Sequence, residues 1–468
     1  MKLILHIGTE KTGTTAFQIW MHENTQALRR QGVWYAQAFD VPNNRKLSVI
    51  ARRPDEREDG FGFYGIQTEA DHEAFRDRTL AAFARDVEAA RAAGAHTYFV
   101  SSEHLHSRLR FQEMVDRTAG IVKPQFDAVE IVCFLRPQID TALSLASTGA
   151  RVGMHIDERF FERVKPGNPY YNYPALLERW ANAFGEQAVT PVPFVREKRP
   201  VEYFKRRLGL DPQADYAPDR RINSTVDYRV VALMNALVRE NATNKPRELH
   251  PMFRTFFIEE LPCEEPLAVG QETAREIQAR FDAQNRRLAR LWPQISEQDL
   301  QPDWSRYGEG NFHKLETADY TPIVRHVIGR FNADLAMQRG RVSVMESRQA
   351  EAEGKLDLAI RHQKKAIAQV EQARAVDSMA KWADTQHGHY VDRLERLHAL
   401  RAAASADPGG QAPSGGAAGG AAGGGAAAGK AAAPEDEETA AGRPGEPSAP
   451  PAPRGMLSLL RNLVPRRN

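Results

Sequence analysis

The sequence predicts an α/β protein, with a central parallel sheet flanked by helices, helical C-terminal additions and a disordered tail. Three observations predict it. Short apolar runs alternate with longer segments of helical period as far as about residue 215. The first run, residues 2–7 (KLILHI), leads through a glycine-bounded loop directly into a helical pattern. The most strand-like stretch, AVEIVCFLR at 128–136, is followed by Pro137 at a suitable first helical position.

Taken in order, residues 2–7 read as a buried strand, 8–13 as a loop, and 14 to about 32 as a helix capped by Thr14 or Thr15. Residues 70–93 alternate charge and alanine at helical spacing, and HTYFVSS (96–102) is a second strand. Strand 128–136 passes into the helix QIDTALSLASTGAR, and YPALLERWANAFG (173–185) is an amphipathic helix ending at a glycine. AVTPVPF (188–194) is a strand whose two prolines suit a sheet edge. Trp20 and Trp180 read as core residues on amphipathic helices.

Residues 226–335 are predominantly helical, with breaks near Pro246, Pro262 and Pro266, and would pack around the sheet or form a lid. Together 1–335 reads as one domain, with its core in 1–215 and a helical part in 216–335. Segment 336–402 reads as helical or coiled-coil. Its 345–400 stretch carries apolar positions at Ile360, Ile367, Val370, Met379, Ala383, Val391, Leu394 and Leu397, partly heptad-like and a route to oligomers. His387 and His389, around Gly388, read as a solvated loop rather than metal ligands. Residues 403–454 are Ala/Gly/Pro-rich and cannot bury enough apolar surface to offset their ordering entropy. The final segment 455–468, within GMLSLLRNLVPRRN, has one apolar face and several arginines. It is either a basic amphipathic helix for weak membrane-surface or protein docking, or a frayed end. No internal repeat is present.

Composition narrows the function. The 468 residues suffice for a sizeable core. Net charge is +2, from 63 basic and 61 acidic residues, so the average surface argues for neither nucleic acid nor a membrane as a partner, and any anion site is local. Cys133 and Cys263 lie far apart without metal-like spacing, as in a reduced cytoplasmic protein. The N-terminal apolar run is too short for a signal peptide, and no window reaches the ~18 apolar residues of a spanning helix.

The loop GTEKTGTT departs from a nucleoside-triphosphate loop. Gly8 and Gly13 have its spacing, but Thr14 stands where the lysine belongs, and the only lysine is Lys11. Backbone amides between two glycines at a helix N-terminus form an anion site whatever the side chains are. Lys11 sets its charge at the mouth of that loop. Magnesium would also want a carboxylate at the end of a neighbouring strand, and strand 128–136 ends in Arg136 instead. Ser144 lies about two helical turns beyond Pro137, so Arg136 and Ser144 can converge on a phosphate monoester. Two anion sites on one sheet without a metal describe a nucleotide with separate 5′ and 3′ groups.

These residues resemble the sulfotransferases that use 3′-phosphoadenosine-5′-phosphosulfate (PAPS). KTGTT (11–15) looks like their 5′-phosphosulfate loop, and Arg136 with Ser144 has the spacing of their 3′-phosphate motif. HIGTEKTGTTAFQ and YNYPALLERWANAFG are similar to bacterial enzymes of this kind that act largely on carbohydrate. The resemblance spans about 1–215 and implies a P-loop NTPase-like fold with PAPS as co-substrate and no metal. It implies that Gly8, Lys11, Thr12, Gly13, Thr14, Thr15, Arg136 and Ser144 hold the nucleotide, with Tyr173 approaching it, and that Lys11 stabilises the leaving phosphate. In FVSSEHLHSR it offers His104, which matches the catalytic histidine of the cytosolic class, and Glu103, since heparan-type enzymes use a glutamate. One would be the base and the other its orienter. The acceptor it implies is a carbohydrate or glycolipid, with segment 40–75 a suitable place for its contacts.

The sequence departs from the family at Ala16, where the cytosolic class has a tryptophan, and no late Arg-Lys-Gly string is present. A P-loop kinase and a non-catalytic scaffold with a retained nucleotide core are the competing readings. The expected location is the cytoplasm, with the tail available for the inner face of the membrane.

Overall fold

In the computed structural model, five parallel strands are ordered β2-β3-β1-β4-β5: β1 Lys2–His6, β2 Val33–Tyr35, β3 Thr97–Ser101, β4 Ala128–Leu135 and β5 Val189–Pro193. The structure describes residues 1–151, 154–219, 225–240, 261, 263–374 and 376–406, and Met1–Ala406 form one compact unit.

The sheet is buried on both faces, as a parallel sheet must be, and strand alternation assigns each side chain. Leu3 and Leu5 of β1 and Ile131, Cys133 and Leu135 of β4 enter one core, with Tyr173, Trp180 and Leu288. Ile4, Val132 and Phe134 enter the other, with Phe17, Trp20 and Phe204. β5 is an edge strand, and its prolines lie opposite Cys133 and Leu135. The chain leaves β1 toward β2 on one side, whereas β4 and β5 lie on the other. The carboxyl end of β1 is therefore the switch point where such sheets bind ligands.

Helix α1 (Thr14–Glu23) follows the loop, and α2 (Thr25–Arg30) follows a break at Asn24. The continuous helix expected to about residue 32 is thus wrong, and β2 goes unforeseen. The cause is tertiary. Asn24 donates its side-chain amide to the Trp20 carbonyl at 2.8 Å and accepts from the amide of Ala217 at 2.7 Å, which pins the break from a distant loop. Neither Thr14 nor Thr15 caps α1 either; the capping position is Gly13, and no side chain bonds there.

Of the other helices, α3 (Glu69–Ala92), α5 (Gln138–Arg151) and α6 (Tyr173–Phe184) match their expected positions, whereas α4 (His104–Arg108), after β3, and α7 (Pro200–Arg207), after β5, go unforeseen. α8 (Tyr228–Glu240) and α9 (Gln271–Ala279) pack on α5 in a third core around Ile139, Val231 and Phe281. The breaks at Pro246 and Pro262 lie outside the described residues.

Three consecutive helices then fold back on one another: α10 (Thr321–Ala352), α11 (Leu356–Arg374) and α12 (Asp377–Ala406). Ser347 donates to the Ala359 carbonyl at 2.9 Å, and Gln363 to that of Tyr390, also at 2.9 Å. His387 and His389 are helical rather than in a loop, and His387 Nε2 lies 3.3 Å from Glu371 Oε1. Residues 403–406 also remain helical; 407–468, including the expected linker and basic end, lie outside the described residues. No helix among the described residues is long and apolar enough to cross a membrane.

His6 is the polar exception inside the sheet. Fully buried, its ring lies edge-on to Phe17, Phe134 and Phe204, and its Nδ1 is 2.9 Å from Ser101 Oγ. Burial pushes its pKa down to about 3 from 6.5. The unfolded chain therefore takes up this proton first, and the stability His6 supports is complete above pH 6.5 and lost as pH falls toward 3. We expect His6→Gln to lose about 2 kcal/mol less than the wild type between pH 7 and pH 5, read from urea midpoints at the two pH values.

Candidate functional site

The loop after β1 is stitched to β4. The Thr9 amide and hydroxyl both donate to the Phe134 carbonyl, at 2.9 and 3.0 Å, and the Phe134 amide donates to the Gly8 carbonyl at 2.6 Å. Gly8 has φ +101°, where a side chain is strained and would come within 3.1 Å of the Glu10 amide nitrogen, so a glycine is favoured; Glu103 lies just beyond, its Cα 3.4 Å from that position. Gly13 has φ +79° and starts α1. Gly13 and Thr15 are exposed, whereas Thr12 and Thr14 are buried. The Thr12 hydroxyl turns inward to the Thr9 carbonyl at 2.7 Å, and Thr14 Oγ1 lies 3.5 Å from the same oxygen. An uncapped helix N-terminus behind an open glycine loop attracts an anion through its amides and dipole.

Lys11 also has a left-handed backbone, with φ +70°, which is costly for a non-glycine residue. That conformation sends its carbonyl and its side chain to different partners. The carbonyl accepts from Arg136 Nη1 at 2.8 Å, and the ammonium donates to the Thr148 hydroxyl on α5. Thr148 in turn donates to the Ser144 carbonyl at 3.1 Å. The loop, the residue after β4 and the third turn of α5 are thereby joined through side chains.

Tyr173 is fully buried at the start of α6. Its hydroxyl donates to the Arg136 carbonyl at 2.6 Å and lies 3.4 Å from Thr141 Oγ1. It holds the backbone of Arg136 from behind. Burial lowers the pKa of Lys11, and Arg151 and Arg136 add to the effect, while Glu10 and Glu103 oppose it. Burial likewise lowers that of Arg136 against the attraction of Asp140. These cations are held with incomplete hydration, a state that an incoming anion relieves.

Glu103 and His104 begin α4 at the end of β3, and they face different neighbours. Gln18 of α1 donates to Glu103 Oε2 at 2.7 Å and also to the Ser101 carbonyl at 3.2 Å. Burial raises the Glu103 pKa, while its own backbone, Gln18 and Lys11 hold it down. His104 is pushed down to about 4 by burial, with Arg45 and Arg108 acting in the same direction. Its buried Nδ1 has no hydrogen-bond partner. No hydrogen bond joins Glu103 to His104 among the described residues; the carboxylate is oriented by Gln18.

Reading motifs alone passes over several residues here. His106 accepts the Glu10 amide at Nδ1, 3.3 Å away, and its Nε2 is 2.9 Å from the Tyr170 carbonyl, which fixes the tautomer with hydrogen on Nε2. Tyr170 donates its hydroxyl to Glu10 Oε2 at 2.9 Å. Beyond His104, Asp59 pairs with both Arg45 and Arg108 at 2.9 Å. Of these, only the adjacency of His106 to the Glu103–His104 pair and the place of Arg45 and Asp59 within segment 40–75 are signalled in the sequence. No group of three metal-ligating side chains occurs among the described residues.

No family model matches the chain, and no curated protein matches it. Among solved structures, a crystal structure of a sulfotransferase from Alicyclobacillus acidocaldarius is similar at 16% identity and a TM-score of 0.29, over 51% of this chain and 94% of that one. So loose a superposition adds nothing to the geometry above.

Removing the Tyr173 hydroxyl leaves the Arg136 carbonyl without its buried donor. Tyr173→Phe is expected to cost about 1–3 kcal/mol of stability, measured by urea unfolding. An unchanged midpoint would contradict the role given to that hydrogen bond.

Proposed function

We propose that this chain is a sulfotransferase that moves a sulfuryl group from PAPS to a hydroxyl, with a carbohydrate, as polysaccharide or glycolipid, as the acceptor. One observation carries the reading. An uncapped helix N-terminus and Lys11 meet Arg136 where a magnesium site would need a carboxylate. The loop amides with Thr12, Thr14 and Thr15 would take the 5′-phosphate, and Arg136 with Ser144 the 3′-phosphate. Incomplete hydration of Lys11 and Arg136 fits a ligand with two separate anionic groups.

In the transfer, the acceptor oxygen forms a bond to sulfur as the bond from sulfur to the bridging 5′-phosphate oxygen breaks. The acceptor proton passes to a base, and the electron pair of the broken bond stays on the departing bisphosphate. Lys11 supplies a fixed cation for that charge in a site partly closed to water. We assign the base to Glu103, which lies against Gly8 and senses the charge of Lys11. Burial raises its pKa toward the range where a carboxylate is an effective base. His104 is neutral at pH 7, and its buried Nδ1 is unpaired. The Arg45–Asp59–Arg108 cluster and Phe63, 68% exposed, supply polar and apolar contacts suited to a sugar on segment 40–75. The proposed setting is the cytoplasm, with a glycolipid acceptor met at the inner face of the membrane.

The test is transfer of labelled sulfate from PAPS to a panel of polysaccharides and glycolipids. Glu103→Gln should lower kcat about 100-fold or more and Lys11→Ala by a similar factor, with a smaller loss for His104→Asn. A larger loss for His104→Asn than for Glu103→Gln would move the base to the histidine. The acid limb follows Glu103, since activity falls as pH drops through its raised pKa. Gln18 lowers that pKa, so Gln18→Ala should move the limb to higher pH in a pH–kcat profile. An unmoved or lowered limb would exclude Glu103 as the base.

A further inference from the structure

We propose that the outer face of α10 is a self-association surface and that its occupant is a second copy of this chain. α10 has two apolar faces. One is occupied within the chain: Ala333, Met337 and Val344 are buried in the core shared with α11 and α12. Gly340 packs closely there, since a side chain on it would come within 3.3 Å of Val370 Cγ2. The opposite face is open, with Ile328 55%, Phe331 47%, Leu335 38%, Val342 54% and Met345 70% exposed. Scattered exposed apolar residues are ordinary. These five are not scattered; they fall on the alternating three- and four-residue steps of heptad a and d positions, with Gln338 at the one polar step.

Such a seam fits a helix of the same period, and the flanking charges fit this helix itself. Asp334 and Arg341 hold the g positions beside the stripe, and Arg339 and Glu346 the e positions. Within the chain Asp334 pairs with Arg330, Glu346 with His362, and Arg341 lies over the Trp382 ring, so an interhelical pair would add to or exchange with these contacts. Laid parallel and in register, Asp334 meets Arg339 of the second copy, and Arg341 meets Glu346. Laid antiparallel about the centre of the stripe, Asp334 meets Arg341. Unlike charges meet in either orientation. α10 is already ordered by α11, so pairing does not bear the cost of forming the helix. The stripe spans residues 328–345, about 26 Å at ~1.5 Å per residue, which is short for a coiled coil and makes the association dependent on concentration. None of this rests on the proposed catalytic activity.

Sedimentation of the full-length chain across the micromolar range tests it. The expected result is a mass rising from one chain to two, with association weakened at least about tenfold in the double variant Phe331→Glu, Leu335→Glu. Both side chains are less than half exposed, at 47% and 38%, so the circular dichroism and thermal midpoint of that variant are checked against the wild type; a second double variant at the more exposed positions, Val342→Glu, Met345→Glu, repeats the test should the first misfold. A wild type that stays monomeric throughout overturns the proposal, whether the face is bare or covered by residues 455–468 of the same chain. A dimer that either well-folded variant leaves intact also overturns it, because the contact then lies elsewhere.

Discussion

The seam between the loop after β1 and the end of β4 is the constraint on which the rest of the site depends. One carbonyl, that of Phe134, takes both the amide and the hydroxyl of Thr9, while the Phe134 amide reaches back to Gly8. β4 ends one residue later at Leu135, so the same seam sets Arg136 beside Lys11. Tyr173 then fixes the Arg136 backbone from the core, and Thr148 receives the lysine from α5. The site is therefore held by a strand register and a few buried hydrogen bonds rather than by a flexible loop.

That rigidity has an electrostatic consequence. Lys11 lies within the electrostatic reach of both Arg136 and Glu103, and burial moves the pKa of each of the three toward its neutral form. Holding charged groups out of water costs free energy unless partners compensate. Here the compensation within the chain is incomplete. An anionic ligand of the proposed kind would complete it for the two cations, and the carboxylate gains basicity from the same burial. Dipoles and charges set in advance need little reorganisation when new charge develops, which is the usual source of large rate effects in such sites.

Much of this was legible in the sequence. Four of the five strands, the loop and the helix after Arg136 follow from apolar period, glycine spacing and Pro137, because these are local signals. Trp20 and Trp180 are core residues, as expected. What escaped was set from far away in the chain. The break at Asn24 depends on Ala217, and β2 has only three residues beside β3. Glu103 and His104, adjacent in sequence, read as one unit, yet neighbouring residues on a helical turn do not face each other. Gln18 and Thr148 carry no motif. Their roles come from α1 and α5 converging on the loop, which no spacing rule encodes. His387 and His389 looked like loop residues around a glycine, but packing of α12 on α11 keeps that stretch helical.

Titration calorimetry of the chain with 3′,5′-adenosine bisphosphate, compared with ATP–Mg, tests the central claim most directly. Two anion sites without a metal predict tight binding of the bisphosphate in the presence of a chelator, weakened at least about tenfold by Arg136→Ala. Preference for ATP–Mg, or bisphosphate binding indifferent to Arg136, would contradict it.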